Sequence, residues 1–323
     1  MIILTGGAGF IGSCFLHKLN SEGIKDILVV DHLGTDDKWK NLIGKKFIRF
    51  EHKSIFRQDI AAGKYSDCNI DYIIHFGACS KTTERDADYV MDNNLNYSIE
   101  LSKFAFERSI PFLYASSAAT YGNGSEGYSD YRFDTLKPLN VYGLSKHLFD
   151  EWIIRNGYED KVTGLKFFNV FGPNEYHKQT MSSMVFKSFR QIQETGKVLL
   201  FKSNVSEYSD GEQLRDFIYV KDVVDTLFQI FQQNGKISGI YNLGTGKARS
   251  WNSLVNAVFQ VMGLDPQIEF INMPENLTKQ YQNFTQAEMN KLVSTGIDHK
   301  FMTLEDGITD YVKNYLMEDF RIL

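Results

Sequence analysis

No stretch of this chain approaches the ~18 consecutive apolar residues that span a bilayer, so no transmembrane helix is expected. Only five prolines interrupt 323 residues, which argues against long extended or disordered linkers. Cysteine is scarce too. Cys14, Cys68 and Cys79 are too few and too scattered for a disulfide framework or a metal-binding spacing. The seven histidines are equally dispersed, and a metal-free protein is expected. Basic residues form no run, and 35 Lys+Arg against 40 Asp+Glu leave a net charge of −5. Nucleic acid and anionic membranes are therefore unfavourable partners. The first residues lack the basic segment and apolar core of a secretory signal, so the expected location is the cytoplasm. Internal repeats and low-complexity tracts are also lacking.

Hydrophobic residues make up 43% of the chain, enough for the core of one large domain or two ordinary ones. The first dozen residues, MIILTGGAGFIG, organise the rest. Met1 to Leu4 is long enough only for a buried strand. Gly6, Gly9 and Gly12 follow at three-residue spacing, and Phe10, Ile11, Phe15, Leu16 and Leu19 then recur at helical spacing. A dinucleotide pyrophosphate needs this strand, glycine turn and helix, because the helix N-terminus offers unpaired N–H groups to the anion. A second apolar run, Ile27 to Val30, ends in Asp31, where a ribose hydroxyl would be held.

Further strands are expected at Lys46–Phe50, Asp71–Phe76, Pro111–Ser116 and Val162–Phe168, with helices at Ile55–Ala62, Asp88–Arg108 and Asn140–Arg155. This alternation predicts an α/β fold with a doubly wound parallel sheet over residues 1–172. Past Gly172-Pro173 the rhythm changes. A helix (Met181–Glu194), a strand (Val198–Phe201) and a polar loop (Ser203–Gln213) precede a strand entering a helix within Arg215–Phe231. Ile240–Leu243 reads as a strand, and Trp251–Met262, Thr285–Leu292 and Thr303–Tyr315 as helices. A smaller α/β substrate domain is expected mainly over 173–323, with about 214–245 returning to the first domain.

Tyr142 and Lys146 lie four apart in YGLSK and share a helix face. Of the 17 tyrosines, only Tyr142 has a lysine four residues later. A phenol titrates near pH 10 and needs a shift of ~3 units, roughly 4 kcal/mol, to act as a base near pH 7. A nearby ammonium and an oxidised nicotinamide ring both favour that shift. Ser116 and Ser117 end the preceding strand, where a hydroxyl can face a ligand at the carboxyl edge of the sheet.

These motifs resemble the extended short-chain dehydrogenase/reductase family, which has a Rossmann fold and acts mostly on nucleotide sugars. The resemblance implies Tyr142 as acid/base, Lys146 as its tuning group and ribose ligand, and Ser117 on the reacting oxygen. MIILTGGAGFIGS, DILVVD, PLNVYGLSKHLFDE, FFNVFGPNEYHK, RDFIYVKDV and YQNFTQAE resemble, more specifically, the branch that inverts C6 of ADP-heptose for the lipopolysaccharide inner core. That branch implies NADP as cofactor, ADP-heptose as substrate and a homo-oligomer, a pentamer in the resembled enzymes. It places a second base at Lys178, although a lone loop lysine is ordinarily solvated. It implies cofactor contacts at Gly6, Gly9, Phe10, Ile11, Gly12, Asp31, His32, Lys38, Lys53, Phe76, Gly77, Ala78, Cys79, Ser80, Asn93, Lys146, Val170 and Lys178. Substrate contacts fall on Ser117, Asn169, Thr180, Lys187, Phe201, Arg215 and Tyr281. A guanidinium at Arg215 can grip a diphosphate through two parallel hydrogen bonds. Asp31 alone favours NAD, since a carboxylate repels a 2′-phosphate; His32, Lys38 and Lys53 counter it.

Two positions depart from the resembled pattern. Phe76 stands where the family usually has an acid, which limits its cofactor contact to backbone or packing. The loop from Lys202 to Gln213 is several residues longer than the pattern, which puts Phe201–Asn204 in doubt as substrate contacts. Among rival activities, a 4,6-dehydratase needs an Asp-Glu pair after Ser117, where this chain has Ala118 and Ala119. A UDP-hexose 4-epimerase keeps NAD bound and does not need Lys178. A non-catalytic dinucleotide sensor has no need for Ser117, Tyr142 and Lys146 together.

Overall fold

Runs of four to six residues form the strands of the larger sheet, and the central ones are mostly apolar because both faces are covered. The computed structural model describes residues 1–278, 281–298 and 300–323. It begins with β1 (Ile2–Thr5), the glycine turn, α1 (Phe10–Ser21) and β2 (Ile27–Asp31). β3 (Arg49–His52), α2 (Lys53–Ala61) and β4 (Tyr72–His75) follow. α3 (Ala87–Met91) runs into α4 (Tyr97–Glu107) through a π-helical turn at Asp92–Asn96. β5 (Phe112–Ser117), α5 (Val141–Arg155), β6 (Val162–Phe167) and β7 (Asn169–Phe171) lead to α6 (Met184–Thr195) and β8 (Val198–Phe201). Beyond the polar loop come β9 (Leu214–Tyr219), α7 (Val220–Gln232), β10 (Gly239–Leu243), β11 (Ala248–Ser250) and α8 (Trp251–Met262). The last elements are β12 (Ile268–Ile271), α9 (Glu275–Thr278), α10 (Asn290–Val293) and α11 (Leu304–Tyr311).

Seven strands form a parallel sheet in the order β10-β6-β5-β4-β1-β2-β3. Their alternation divides the core. Ile2, Leu4, Val29 and Ile74 point into one cluster; Ile3, Leu28, Val30 and Ile73 point into the other. The strand order reverses between β1 and β4, and the crevice beyond their carboxyl ends is where such sheets bind ligands. Two small sheets, β11-β9-β7 and β12-β8, lie apart from the large one, and β7 contributes Asn169 and Val170 to the lining of that crevice. β9 pairs in the small sheet, while β10 returns to the large one beside β6.

The helix expected over Thr285–Leu292 forms only at its end, in α10. The Thr285 N–H donates to the Leu214 carbonyl, and the Ala287 N–H donates to the buried carboxylate of Asp216. That carboxylate also accepts from the Thr245 and Gly246 N–H groups. Tertiary partners thus hold 285–287 extended against β9. The strand expected at Lys46–Phe50 lies three residues later, where it pairs with β2.

Candidate active site

The turn after β1 is built to leave room for an anion. Gly6 has φ +69°, and a Cβ there would lie 2.6 Å from the Phe76 carbonyl carbon. A Cβ on Gly12 would lie 2.1 Å from the Gly6 carbonyl oxygen. α1 carries no side-chain cap and no acid in its first turn, so its N–H groups and positive dipole end face the crevice uncompensated. Gly6, Gly9, Phe10, Ile11 and Gly12 all line a cleft of 680 Å³. The residues present therefore fit a dinucleotide.

A smaller pocket of 80 Å³ opens beside it, lined by Asp31, His32, Lys38, Lys53, Gly77, Ala78, Cys79 and Asn93. Asp31 is buried and accepts from the Ala8 N–H (2.8 Å), the His32 N–H (2.7 Å) and Lys38 Nζ (2.6 Å). Lys38 thus neutralises Asp31. The Lys53 ammonium pairs with the neutral amide of Asn93 and with no acid among the described residues. Burial, reinforced by the charge of Lys38, lowers the Lys53 pKa. The net field here is positive.

The catalytic wall comes from β5 and α5. Asn140 caps α5 by accepting from the Gly143 N–H (2.8 Å), which sets Tyr142 in the first turn. Lys146 is one turn on, buried, and donates to the Ala115 carbonyl (2.7 Å). Burial lowers its pKa to about 8, against the opposing charge of Asp150. Burial pushes the Tyr142 phenol up, with the Ser117 hydroxyl beside it pulling the other way. Strand alternation separates the two serines. Ser116 turns inward and donates to Asp150 (2.7 Å), while Ser117 accepts from the Ala119 N–H and faces the cleft. Behind Ser116, Asp150 and Lys166 form a wholly buried ion pair at 2.6 Å. Tyr114 and Thr120 supply its remaining hydrogen bonds.

A second buried network fixes the Gly77–Ser80 segment. The Gly77 N–H donates to Thr5 Oγ1, which lies 2.7 Å from His75 Nδ1; with the Ser98 hydrogen given to Asn94, a neutral His75 donates from Nε2 and accepts from Thr5 at Nδ1. His75 Nε2 donates to Ser98 (2.9 Å), which donates to the Asn94 carbonyl. This arrangement needs a neutral imidazole, and burial lowers the His75 pKa to about 3. The Asn94 amide, in the π-helical turn, bonds both the N–H and the carbonyl of Cys79 and also Ser145. Ser145 bonds the Tyr142 carbonyl (2.8 Å). The Gly77–Ser80 segment and α5 are therefore tied together by residues the sequence did not mark.

Lys178 faces the cleft from the opposite side, on the turn Tyr176–Met181. Its ammonium sits 5.5 Å from the Phe10 ring centroid and makes no salt bridge among the described residues. Burial lowers its pKa, with Glu175 opposing. Gln179, next to it, has φ +48°, a conformation that turns the chain sharply at this point. Asn169, Val170 and Thr180 line the same cleft, as do Phe76 and Ser80. The Phe76 ring packs edge-on against Phe15 and Phe167. Lys187 and Phe201 are outside the cleft lining. Lys187, half-buried on α6, lies near Glu175 and Lys178.

Arg215 and Tyr281 form a separate cluster. The Arg215 guanidinium lies 5.0 Å from the Tyr281 ring centroid and 5.5 Å from that of Trp251, whose N–H donates to the Tyr281 hydroxyl. It is 5% exposed and has no acidic partner among the described residues. A buried cation without a counter-ion is a receptor for an anion.

Comparisons with known proteins show the family of the chain. A model of the NAD dependent epimerase/dehydratase family matches residues 2–244. The chain is 51% identical over 318 residues to the ADP-L-glycero-D-manno-heptose-6-epimerase of Nitratidesulfovibrio vulgaris strain DP4, covering 98% of each. It is 48% identical over 330 residues to the enzyme of the same name from Fusobacterium nucleatum, covering 99% of each. The crystal structure of the Helicobacter pylori ADP-L-glycero-D-manno-heptose-6-epimerase superposes with a TM-score of 0.81 at 30% identity, over 97% of this chain and 95% of that one.

Proposed function

Because the chain belongs to the NAD dependent epimerase/dehydratase family, we propose that it inverts C6 of ADP-glycero-manno-heptose, from D-glycero to L-glycero, using bound NADP. The relatives at 51% and 48% identity support this substrate. The observation that carries the reading is one cleft with two candidate proton-transfer groups, Tyr142 on one wall and Lys178 on the other.

A nicotinamide ring bound in the cleft supplies the acceptor and donor of hydride at C6. Tyr142 takes the proton from the C6 hydroxyl as hydride leaves the carbon. Ser117 holds the oxygen, and the Lys146 charge favours the phenolate. The keto sugar then turns to present its other face, and Lys178 delivers the proton to the oxygen as hydride returns. Lys178 is suited to this because its lowered pKa and unpaired ammonium ease proton release. Arg215 grips the diphosphate and so keeps the nucleotide anchored while the sugar turns.

NADP is favoured over NAD because Lys38 cancels Asp31 and Lys53 leaves an uncompensated positive charge in the smaller pocket. We place the protein in the cytoplasm as a homo-oligomer feeding lipopolysaccharide inner-core synthesis. Two measurements test the reading. Proton NMR of ADP-D-glycero-D-manno-heptose with the purified protein should show the C6 epimer appearing; no interconversion overturns the activity. Mass spectrometry of the nucleotide released on denaturation should show NADP; NAD alone overturns the cofactor assignment.

A further inference from the structure

Eleven buried side-chain polar atoms have no hydrogen-bond partner among the described residues. Five of them belong to Asn204, Gln213 and Asn283, outside the named helices and strands, and Asn252, in the first turn of α8; two of the five are the two ends of one carboxamide, Gln213. Gln213 is 0% exposed. Leaving both its oxygen and its NH₂ group buried and unpaired is costly, and native proteins rarely tolerate it without a reason.

The backbone shows where this side chain points. β9 and β11 are antiparallel with Leu214 opposite Ser250 and Arg215 opposite Arg249. The pairing ends there: Gln213 immediately precedes β9, two residues from Arg215, and Trp251 opens α8. Residues two apart along a strand, and residues directly opposite across an antiparallel pair, share a face. Two residues before Arg215, Gln213 falls on the face that carries the guanidinium, which meets the Trp251 and Tyr281 rings. The neighbouring chain is held in place independently of that carboxamide. The Leu214 N–H donates to the Asn283 carbonyl (2.9 Å), and Asn252 bonds the Gly211 and Asp210 carbonyls through its N–H and side chain. Gln213 is thus the last residue of the long polar loop, locked by its neighbours, with an idle donor and acceptor two residues from a buried guanidinium that donates to the Leu214 carbonyl (2.9 Å) and has no counter-ion among the described residues.

Resting on the nucleotide-sugar reading above, we propose that Gln213 is a substrate-recognition residue, whose carboxamide pairs with the base of the nucleotide while Arg215 holds the diphosphate. A carboxamide presents a donor and an acceptor side by side, the match for the N6/N7 edge of adenine. Trp251 and Tyr281 supply flat apolar surface at the same place. The long loop ending at Gln213 then has a function: it delivers an amide that a shorter connection would leave out.

The test uses the full chain with its cofactor, titrated with ADP in a calorimeter and melted in parallel. Gln213→Leu should weaken ADP about tenfold or more, because the base loses a paired partner in a desolvated site. Its melting temperature should hold or rise, since the variant removes two unpaired polar atoms. Gln213→Met, an unbranched side chain of similar length, should behave alike and guards against a shape defect in the leucine variant. If both variants bind ADP as the native protein does, or if both melt lower by many degrees, the carboxamide serves the fold and the proposal is overturned. If the native protein itself ignores ADP, the substrate reading fails, a result distinct from loss of affinity confined to the Gln213 variants.

Discussion

Tyr142 is held protonated by burial, and the group that lowers its pKa during turnover must act through charge. In the proposed mechanism Lys146 is that group, and its own pKa of about 8 sets a limit. Below pH 8 the ammonium is charged and favours the phenolate; above it the charge is lost. The alkaline limb of the kcat/KM profile is expected near pH 8, and Lys146→Arg, charged at every accessible pH, should lower the rate but move that limb upward. A limb that stays in place would mean that another group titrates there. Tyr142→Phe should leave cofactor binding intact and reduce turnover by at least ~100-fold, measured by steady-state kinetics. Lys178→Met should abolish inversion in both directions, because the reverse reaction uses the same two bases in swapped order. NMR of the two C6 epimers over time checks this, and a near-native rate would leave Tyr142 serving both orientations alone. Tyr142 and Lys146 were legible in the sequence because their chemistry depends on a spacing within one helix. His75, Asn94, Lys166 and Gln213 were not, because what gives each its role is a partner 15 to more than 50 residues away or the absence of one.

The elements carrying the catalytic groups are held in register by a few buried polar contacts. Asp150 on α5 joins Tyr114 and Ser116 on β5 to Lys166 on β6, all within one hydrogen-bonded cluster. Asp150→Asn leaves the Lys166 ammonium buried without its counter-ion, and is expected to destabilise the fold by about 3–5 kcal/mol, read from urea unfolding. A loss under 1 kcal/mol would show that the site admits water. Elements with short apolar runs between glycines, such as β1, β2 and β10, were readable from pattern alone. The π-helical turn at Asp92–Asn96 was not, since it rests on i→i+5 backbone bonding that no residue type marks. Its extra residue accompanies the close approach of Asn94 to Cys79 and Ser145. The segment 285–287 misled because its helical periodicity was overridden by the buried carboxylate of Asp216.

At the scale of the whole molecule, cofactor binding couples the crevice to global stability. A ligand bound only by the folded state adds about 2.7 kcal/mol at a hundredfold excess over its Kd. NADP should raise the melting temperature more than NAD at equal concentration, and Lys53→Glu should reverse that order by placing a negative charge beside the 2′-phosphate. Equal shifts for the two cofactors would remove the basis for choosing NADP. The path of the chain between the sheets has a consequence for synthesis. β6 ends at Phe167, but the strand that covers its outer edge, β10, ends at Leu243. At roughly 5–20 residues per second, translation of the intervening chain lasts about 4–15 s. Throughout that interval the nascent chain exposes an unpaired parallel strand edge, the kind of template that recruits other chains. The protein's vulnerability to aggregation is therefore concentrated on the ribosome, before the last strand of the large sheet has been made.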